Sequence, residues 1–260
     1  MDPLPPASTS RPARAGEAVA VAVVAGIAAW SYGAAVVSPA VGVAAGIVGA
    51  ANGAISGWRR IYAWRRRTGW WAALLDSTWG LPPVLLGLVA HVVAGLRHGG
   101  YEASLSRRLN RHVYRRGAHL QAGYVFTIGN VISSAGDVDQ PRRRKLIVDH
   151  EDVHVWQARW WGPAYLVLYL GWNVAGFAAG TIAWLRHGRR EPFGKVVRSW
   201  TYYSNPFEWW AYCRDDLWPP SGLVHGVGWR RRVVRPFPAA RTQAHLGIHP
   251  GVQVDDRPRP

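Results

Sequence analysis

The chain has little cysteine, little lysine and few acidic residues. Its one cysteine, Cys213, excludes an internal disulfide framework and any metal site built from several cysteines. Only Lys145 and Lys195 are lysines among 31 basic residues, and 15 acidic residues leave a net charge of +16. A charge of this size favours an anionic partner, which is either nucleic acid or the anionic face of a membrane. Because 49% of the 260 residues are hydrophobic, the chain is too apolar to be wholly disordered.

Charged residues are also missing from one long stretch. Residues 18–57, which are 40 positions, contain no Asp, Glu, Lys, Arg or His. As a helix this stretch would measure roughly 60 Å, about twice the ~30 Å thickness of a bilayer core. Pro39 disfavours a helical conformation at Ser38, so the stretch divides in two. The sequence therefore predicts a transmembrane helical hairpin over 17–57, preceded by a disordered basic segment over 1–16.

The second half of this hairpin carries glycines at GxxxG spacing, namely Gly42, Gly46, Gly49 and Gly53. Small residues four positions apart let helix backbones approach closely in lipid. The spacing fits two outcomes: close packing within the hairpin, or a homo-oligomer formed through these glycines.

Arginines flank the hairpin at both ends and are absent from its turn, which predicts that both ends face the cytoplasm. Tryptophan and arginine mix over 58–71 in a way typical of helices at a membrane interface. We therefore expect basic and aromatic interfacial helices over 58–97, in contact with the anionic lipids of the cytoplasmic leaflet. Such a mixture also binds nucleic acid, but the neighbouring hairpin makes the lipid bilayer the favoured partner. Apolar stretches at 81–96 and 163–185 also have basic flanks, so we expect them to dip into or lie on the membrane.

One motif is typical of a catalytic metal site: the HExxH sequence His-Glu-Asp-Val-His at 150–154. On a helix, His150 and His154 share a face and can bind one Zn²⁺, while Glu151 can act as general base on the water that the metal activates. The alternative is an ordinary amphipathic helix in which the two histidines are incidental.

A zinc site of this kind needs a third protein ligand. Glu208 is the leading candidate because Asn205 and Pro206 predict the start of a new helix, with Glu208 in its first turn. The competing explanation is that Glu208 is a capping-box carboxylate. Further candidate ligands are His187, Asp215, Asp216 and His225.

A family pattern is visible in these residues. The order His150-Glu151-x-x-His154-x-x-Gln157, then Gly162-Pro163, then Asn205-Pro206-x-Glu208-x-x-Ala211 resembles a group of bacterial zincin-like proteins of the gluzincin type. Segments 76–79 and 126–132 are similar to parts of the same group, so the resemblance covers residues 75–212. It implies a membrane metallopeptidase in which His150, His154 and Glu208 bind zinc and Glu151 is the general base.

The chain departs from the stricter zincin pattern at one position. That pattern has uncharged residues between the glutamate and the second histidine, where this chain has Asp152, and Asp149 directly precedes the motif. The extra carboxylates fit two interpretations: they orient the ligating imidazoles, or they mark a site that no longer cleaves peptides.

A shared metal also constrains the membrane topology. His150, His154 and Glu208 must lie on one side of the bilayer, and a single span over 163–185 would separate them. We therefore expect a re-entrant or interfacial segment there, such as two short helices bent around 171–173.

The predicted fold class is a mainly α membrane protein with a small α+β zincin-like domain over 98–216. Within it, the β-branched and aromatic residues of 118–134 predict a short β-hairpin or meander before the HExxH helix. A basic, proline-rich tail is expected over 217–260.

The predicted function is that of a zinc-dependent hydrolase in the cell membrane. It would be multi-pass, with its metal site facing the cytoplasm and a peptide or protein as substrate. One alternative is a non-catalytic membrane protein with a structural or vestigial metal site, and another is a membrane-tethered nucleic-acid binder.

Overall fold

A computed structural model of the chain describes residues 10–119, 123–186, 188–212 and 214. These residues are mainly helical with one small sheet, as predicted. Two compact units divide the chain, Met1–Trp172 and Asn173–Pro260. The predicted tail over 217–260 lies outside the described residues.

The first unit opens with two long helices, α1 (Arg11–Val36) and α2 (Pro39–Arg59). Ser38 caps α2, because its side chain accepts a hydrogen bond from the Val41 amide at 3.3 Å. The predicted hairpin is therefore present, with its turn at the expected proline.

Glycines bring α2 into close contact with α1. A Cβ atom at Gly49 would lie 2.6 Å from the carbonyl oxygen of Ala25, and one at Gly53 would lie 2.6 Å from that of Val21. This contact confirms close packing within the hairpin. Self-association through the same glycines stays a prediction.

The start of α1 corrects the expectation for the N-terminal segment. The helix begins at Arg11, so residues 11–16 are helical rather than disordered. Two features account for the difference. Proline stands in the first helical turn, where it is well tolerated, and Glu17 forms ion pairs with Arg60 at 2.8 Å and with Arg108 at 2.5 Å.

Two shorter helices follow the hairpin, α3 (Arg67–Asp76) and α4 (Leu81–Leu96). Among the described residues, three helices are long and apolar enough to cross a membrane, namely α1, α2 and a later helix over Pro163–Arg186. The pair α3 and α4 meets the same criterion only as one segment bent by 87°. These features are compatible with a membrane protein.

The sheet has three short strands, β1 (His112–Val113), β2 (Phe126–Ile128) and β3 (Val131–Ser133). Their order is β1-β3-β2, with β1 parallel and β2 antiparallel to β3. The predicted β-hairpin before the HExxH helix is thus formed by β2 and β3. Its turn needs Gly129, which has a φ of +56° and whose Cβ position would lie 2.5 Å from the Pro83 carbonyl oxygen.

The HExxH helix has three consecutive parts: α5 (Pro141–Lys145), a π-helical segment (Leu146–Glu151) and α6 (Asp152–Trp161). Ile147 and Val155 bury their side chains in a cluster with Val113 and Ile132 of the sheet. The helix is thereby fixed against the β-strands.

The far end of α6 is held by a buried ion pair and a glycine. Arg159 donates to both carboxylate oxygens of Asp76, at 2.7 and 2.9 Å. Burial by itself would lower the pKa of Arg159, but the Asp76 carboxylate outweighs it and the pKa is raised. Gly162 then ends the helix with a φ of +50°, where a Cβ would lie 2.5 Å from the Trp79 carbonyl oxygen. Its backbone conformation and the close contact both require glycine.

Helix α7 (Pro163–Arg186) corrects a second expectation. It runs without interruption through residues 171–173, so the pair of short bent helices that was one form of the expected segment is not present. Gly171 and Asn173 do not break the helix, and no proline follows Pro163 within it. A re-entrant or interfacial position for this segment stays a prediction.

The second unit continues with α8 (Phe193–Arg198), a π-helical segment (Ser199–Tyr203) and α9 (Pro206–Tyr212). A Cβ at Gly176 would lie 2.8 Å from the Trp200 carbonyl oxygen, and one at Gly180 would lie 3.0 Å from Val197 Cα. The chain therefore doubles back along the second half of α7.

Candidate metal centre

The two histidines of the HExxH motif direct the same ring nitrogen toward one another. His150 Nε2 and His154 Nε2 are 3.2 Å apart, and their side chains are 1% and 7% exposed. Two imidazole nitrogens bound to one tetrahedral zinc at ~2.0–2.1 Å are about 3.3 Å apart. The spacing and burial of this pair therefore fit a shared metal ion.

Gln157 fixes the tautomer of one of these rings. The side-chain oxygen of Gln157 lies 2.8 Å from His154 Nδ1 and can only accept a hydrogen bond. The proton of the neutral ring is therefore on Nδ1, and the lone pair of Nε2 is available to a metal. In the sequence, Gln157 stands out only as part of the family pattern; the structure gives it this physical role.

Glu208 joins the histidine pair as the third candidate ligand. One ligand atom from each of His150, His154 and Glu208 lies within 4.8 Å of the other two, and all three residues are buried. This group can hold a metal ion. Of the competing ligands, His187, Asp215, Asp216 and His225 lie outside the described residues.

The geometry at the start of α9 bears on the capping explanation for Glu208. In a capping box, the Glu208 side chain would accept the backbone N–H of Asn205. That N–H instead donates to the Tyr202 carbonyl oxygen at 3.0 Å. The cap itself is supplied by Asn205, whose side-chain oxygen accepts from the Phe207 amide at 3.0 Å. The first turn of α9 therefore has capping partners other than the Glu208 side chain.

Glu151 is held by the neighbouring β-strand. The hydroxyl of Thr127 in β2 donates a 2.6 Å hydrogen bond to Glu151 Oε2, and the glutamate is 7% exposed. Among the strands that the structure describes, the order is β1-β3-β2, so β2 lies at one edge of the sheet. No local sequence signal links Thr127 to Glu151, because the two are brought together only by the packing of the sheet on the helix.

Both of the extra aspartates have cationic partners. Asp152, which departs from the stricter zincin pattern, forms an ion pair with the buried Arg111. Asp149 pairs with Lys145 one helical turn earlier, at 2.5 Å. The charge of Asp152 is thus compensated by Arg111, which no motif in the sequence connects to it.

Arg143 is a further cation near the motif. Burial lowers its pKa, and the negative charge of Glu151 acts in the opposite direction. Its guanidinium also donates to the Ala135 carbonyl oxygen at 2.6 Å. The arginine is therefore fixed in place while lying within electrostatic range of the Glu151 carboxylate.

The backbone at the motif is unusual. His150 and Glu151 belong to the π-helical segment Leu146–Glu151, whereas His154 belongs to the regular helix α6. Short π-helical segments occur frequently at functional sites, and a regular helix was the expectation from the sequence. A second π-helical segment, Ser199–Tyr203, precedes the helix that carries Glu208.

Comparison with known proteins yields no match to this chain among protein-family models, curated proteins or solved structures.

Proposed function

We propose that the protein is a membrane-anchored, zinc-dependent hydrolase of the metallopeptidase type. In this proposal His150, His154 and Glu208 bind the metal and Glu151 is the general base. The observation that carries it is the convergence of two buried imidazole nitrogens at 3.2 Å, with a buried carboxylate within 4.8 Å of both.

The donor set favours zinc. Two neutral imidazoles and one carboxylate form a combination common in catalytic zinc sites, which keep a fourth position open for water or substrate. When bound, Zn²⁺ supplies Lewis-acid polarisation of a carbonyl group and lowers the pKa of water.

The protein's own residues would supply positioning and proton transfer. Gln157 holds the His154 ring in the tautomer that presents Nε2. Glu151 accepts a proton from the attacking water and later delivers it to the leaving amine. Thr127 restrains the Glu151 carboxylate while this happens. An extended peptide would pair with the outer edge of β2, which is the described strand nearest to Glu151.

The path of the chain supports a common side for the ligands. Because the segment after α7 doubles back along it at Gly176 and Gly180, the direction of the chain reverses before Glu208. A membrane-spanning α7 would then be compatible with a Glu208 on the side of the histidines. The arginines that flank the hairpin favour the cytoplasmic side for this site.

A second candidate function is a non-catalytic membrane protein with a structural or vestigial metal site. Burial favours it, because His150 is 1% and Glu208 is 2% exposed, and structural zinc sites are closed to solvent. The nucleic-acid-binding alternative has no comparable support and stays a prediction.

The test that separates the first two candidates is peptide hydrolysis by the full chain in lipid vesicles. Glu151→Gln keeps the size of the side chain but removes the base, so we expect the metal to be retained and turnover to fall by about 10²–10⁴-fold. Glu191→Gln, at a half-exposed glutamate paired with Lys195, serves as the matched control and should keep full turnover. Metal-loaded wild-type protein without turnover on a peptide library, or undiminished turnover in Glu151→Gln, would contradict the peptidase proposal.

A further inference from the structure

The first unit carries a set of exposed tryptophans that the metal site does not use. These large apolar side chains come from α3, from the α3–α4 connection and from the end of α6, and each is at least 39% exposed. We call the following residues the tryptophan patch: Trp70, Trp71, Leu74, Trp79, Trp160 and Trp161. Exposed apolar groups of this size, gathered from several elements, mark an interaction surface.

Packing and hydrogen bonds connect the parts of this patch. Ala72 of α3 lies in a buried cluster against which Trp156 of α6 also packs. The indole N–H of Trp79 donates to the Trp160 carbonyl oxygen at 3.0 Å, which joins the α3–α4 connection to the end of α6. The patch is therefore a fixed feature of the fold rather than a collection of unrelated side chains.

The outward face of α3 is apolar. In α3, Gly69, Ala72 and Asp76 point inward, which leaves Trp70, Trp71 and Leu74 outside. The indole N–H of Trp70 already donates to the Trp64 carbonyl oxygen at 2.9 Å. The polar group of this ring therefore already has a hydrogen-bond partner, and the exposed remainder of the ring is apolar.

Two features identify a lipid surface as the occupant. Arg65, Arg66 and Arg67 are exposed directly before the α3 tryptophans, and a tryptophan–arginine combination fits the boundary between anionic headgroups and acyl chains. Helix α3 of the patch also packs on the apolar hairpin, since Val21 of α1 and Ala72 of α3 lie in one buried cluster.

The outer face of α4 is apolar as well. The helix has no charged residue, and Leu85, Val89, Val92 and Leu96 are exposed while its other face packs on the sheet. A face of this composition in contact with water would be costly, and in contact with lipid it would be stabilising.

We propose that the tryptophan patch docks onto the anionic membrane surface, with its rings at the headgroup–acyl boundary. The C-terminal end of α6 would thereby lie at the bilayer. His154 precedes Trp160 by six positions on this helix, which corresponds to about 9 Å along its axis. If the proposed hydrolase function holds, its substrates are peptide segments close to the membrane surface.

The test measures depth in the bilayer without relying on metal or turnover. Single cysteines replace Trp71, Trp161 or, as a water-exposed control, Asp139 in the full chain carrying Cys213→Ser, and each is spin-labelled. The proteins are reconstituted into vesicles of phosphatidylcholine and phosphatidylglycerol. Collision rates with oxygen, which partitions into lipid, and with a water-soluble nickel chelate then report depth. A third patch position, Leu74→Cys, provides a replacement if either tryptophan variant fails to fold.

We expect labels at positions 71 and 161 to lie about 5–10 Å below the headgroup level, and the label at 139 to lie in water. Labels at 71 and 161 that collide with the nickel chelate as often as the label at 139 would overturn the proposal. Labels shielded from both oxygen and the nickel chelate would also overturn it, because they would indicate a protein surface, such as a second copy of this chain, over the patch.

Discussion

Thr127 donates a 2.6 Å hydrogen bond to Glu151, and so connects the edge strand β2 to the candidate general base. The threonine comes 24 residues before the glutamate in sequence, so only the fold brings them together. The contact gives the strand a role in fixing the carboxylate.

Replacement of Thr127 tests this role. Thr127→Val keeps the shape and removes the hydroxyl, so the restraint on Glu151 is lost. Hydrogen bonds to charged groups contribute about 1.5–3 kcal/mol, which corresponds to a fall in kcat of about 10–150-fold with metal content unchanged. Thr127→Ser keeps the donor and should retain most of the activity. Equal kcat values in steady-state assays of the valine and serine variants would contradict the assigned role.

Gln157 should control metal affinity rather than the chemical step. Gln157→Leu removes the acceptor of the His154 Nδ1 proton, and partners of this kind typically account for about 10–100-fold in metal affinity. Gln157→Glu keeps an acceptor at the same distance and should bind more tightly than the leucine variant. Titration with a competing chelator measures both affinities. If the two variants bind zinc equally well, Gln157 has no part in orienting the ring.

The Asp76–Arg159 pair should be important for stability. Both side chains are buried, and Arg159 also donates to the Asn110 carbonyl oxygen at 2.5 Å. Removal of one partner leaves a buried charge unpaired, so Asp76→Ala should lower the free energy of unfolding by about 3–5 kcal/mol. The double variant Asp76→Leu with Arg159→Met should lose less stability than the sum of the losses in the single variants Asp76→Leu and Arg159→Met. Additive losses in denaturant unfolding would show that the pair is not coupled.

The burial of His112 leads us to expect that the stability of the protein depends on pH. Burial lowers its pKa well below the ordinary value, and the nearby His91, Arg59 and Arg159 add to the effect. The folded state therefore disfavours the protonated ring. Above the unfolded-state pKa of about 6.5 the ring is neutral in both states, so the free energy of unfolding is unaffected. Below that pH the unfolded state gains a proton that the folded state does not, and the free energy of unfolding falls by up to about 1.4 kcal/mol per pH unit.

The measurement is the pH dependence of thermal stability in wild type and in His112→Asn. The asparagine variant lacks the titrating group, so the difference between the two proteins should change between pH 7 and pH 5. His98→Asn, at an exposed histidine, is the matched control and should follow the wild type. A His112→Asn curve parallel to that of wild type over this range would refute the prediction.

Local patterns in the sequence predict some of these features well. The hairpin follows from the absence of charge over 18–57 with a proline at position 39, because a bilayer core requires uncharged stretches of defined length. The pairing of His150 with His154 follows from helical periodicity. These features depend on residues that are near one another in the chain.

Features that depend on packing could not be predicted in the same way. The hydrogen bond from Thr127 and the ion pairs of Arg111 and Arg159 join distant parts of the chain, where no periodicity connects the partners. The π-helical backbone at His150 also has no local signal, and the continuous course of α7 through Gly171 depends on the whole apolar helix rather than on one residue.

The central claim is that His150, His154 and Glu208 bind one metal ion, and metal analysis of the purified full chain tests it most directly. After zinc loading and removal of excess metal, the account predicts one zinc per chain in the wild type and in the control His98→Ala. It predicts loss of that zinc in His154→Ala and in Glu208→Ala. A wild-type protein that retains no zinc, or variants that retain as much as wild type, would contradict the account.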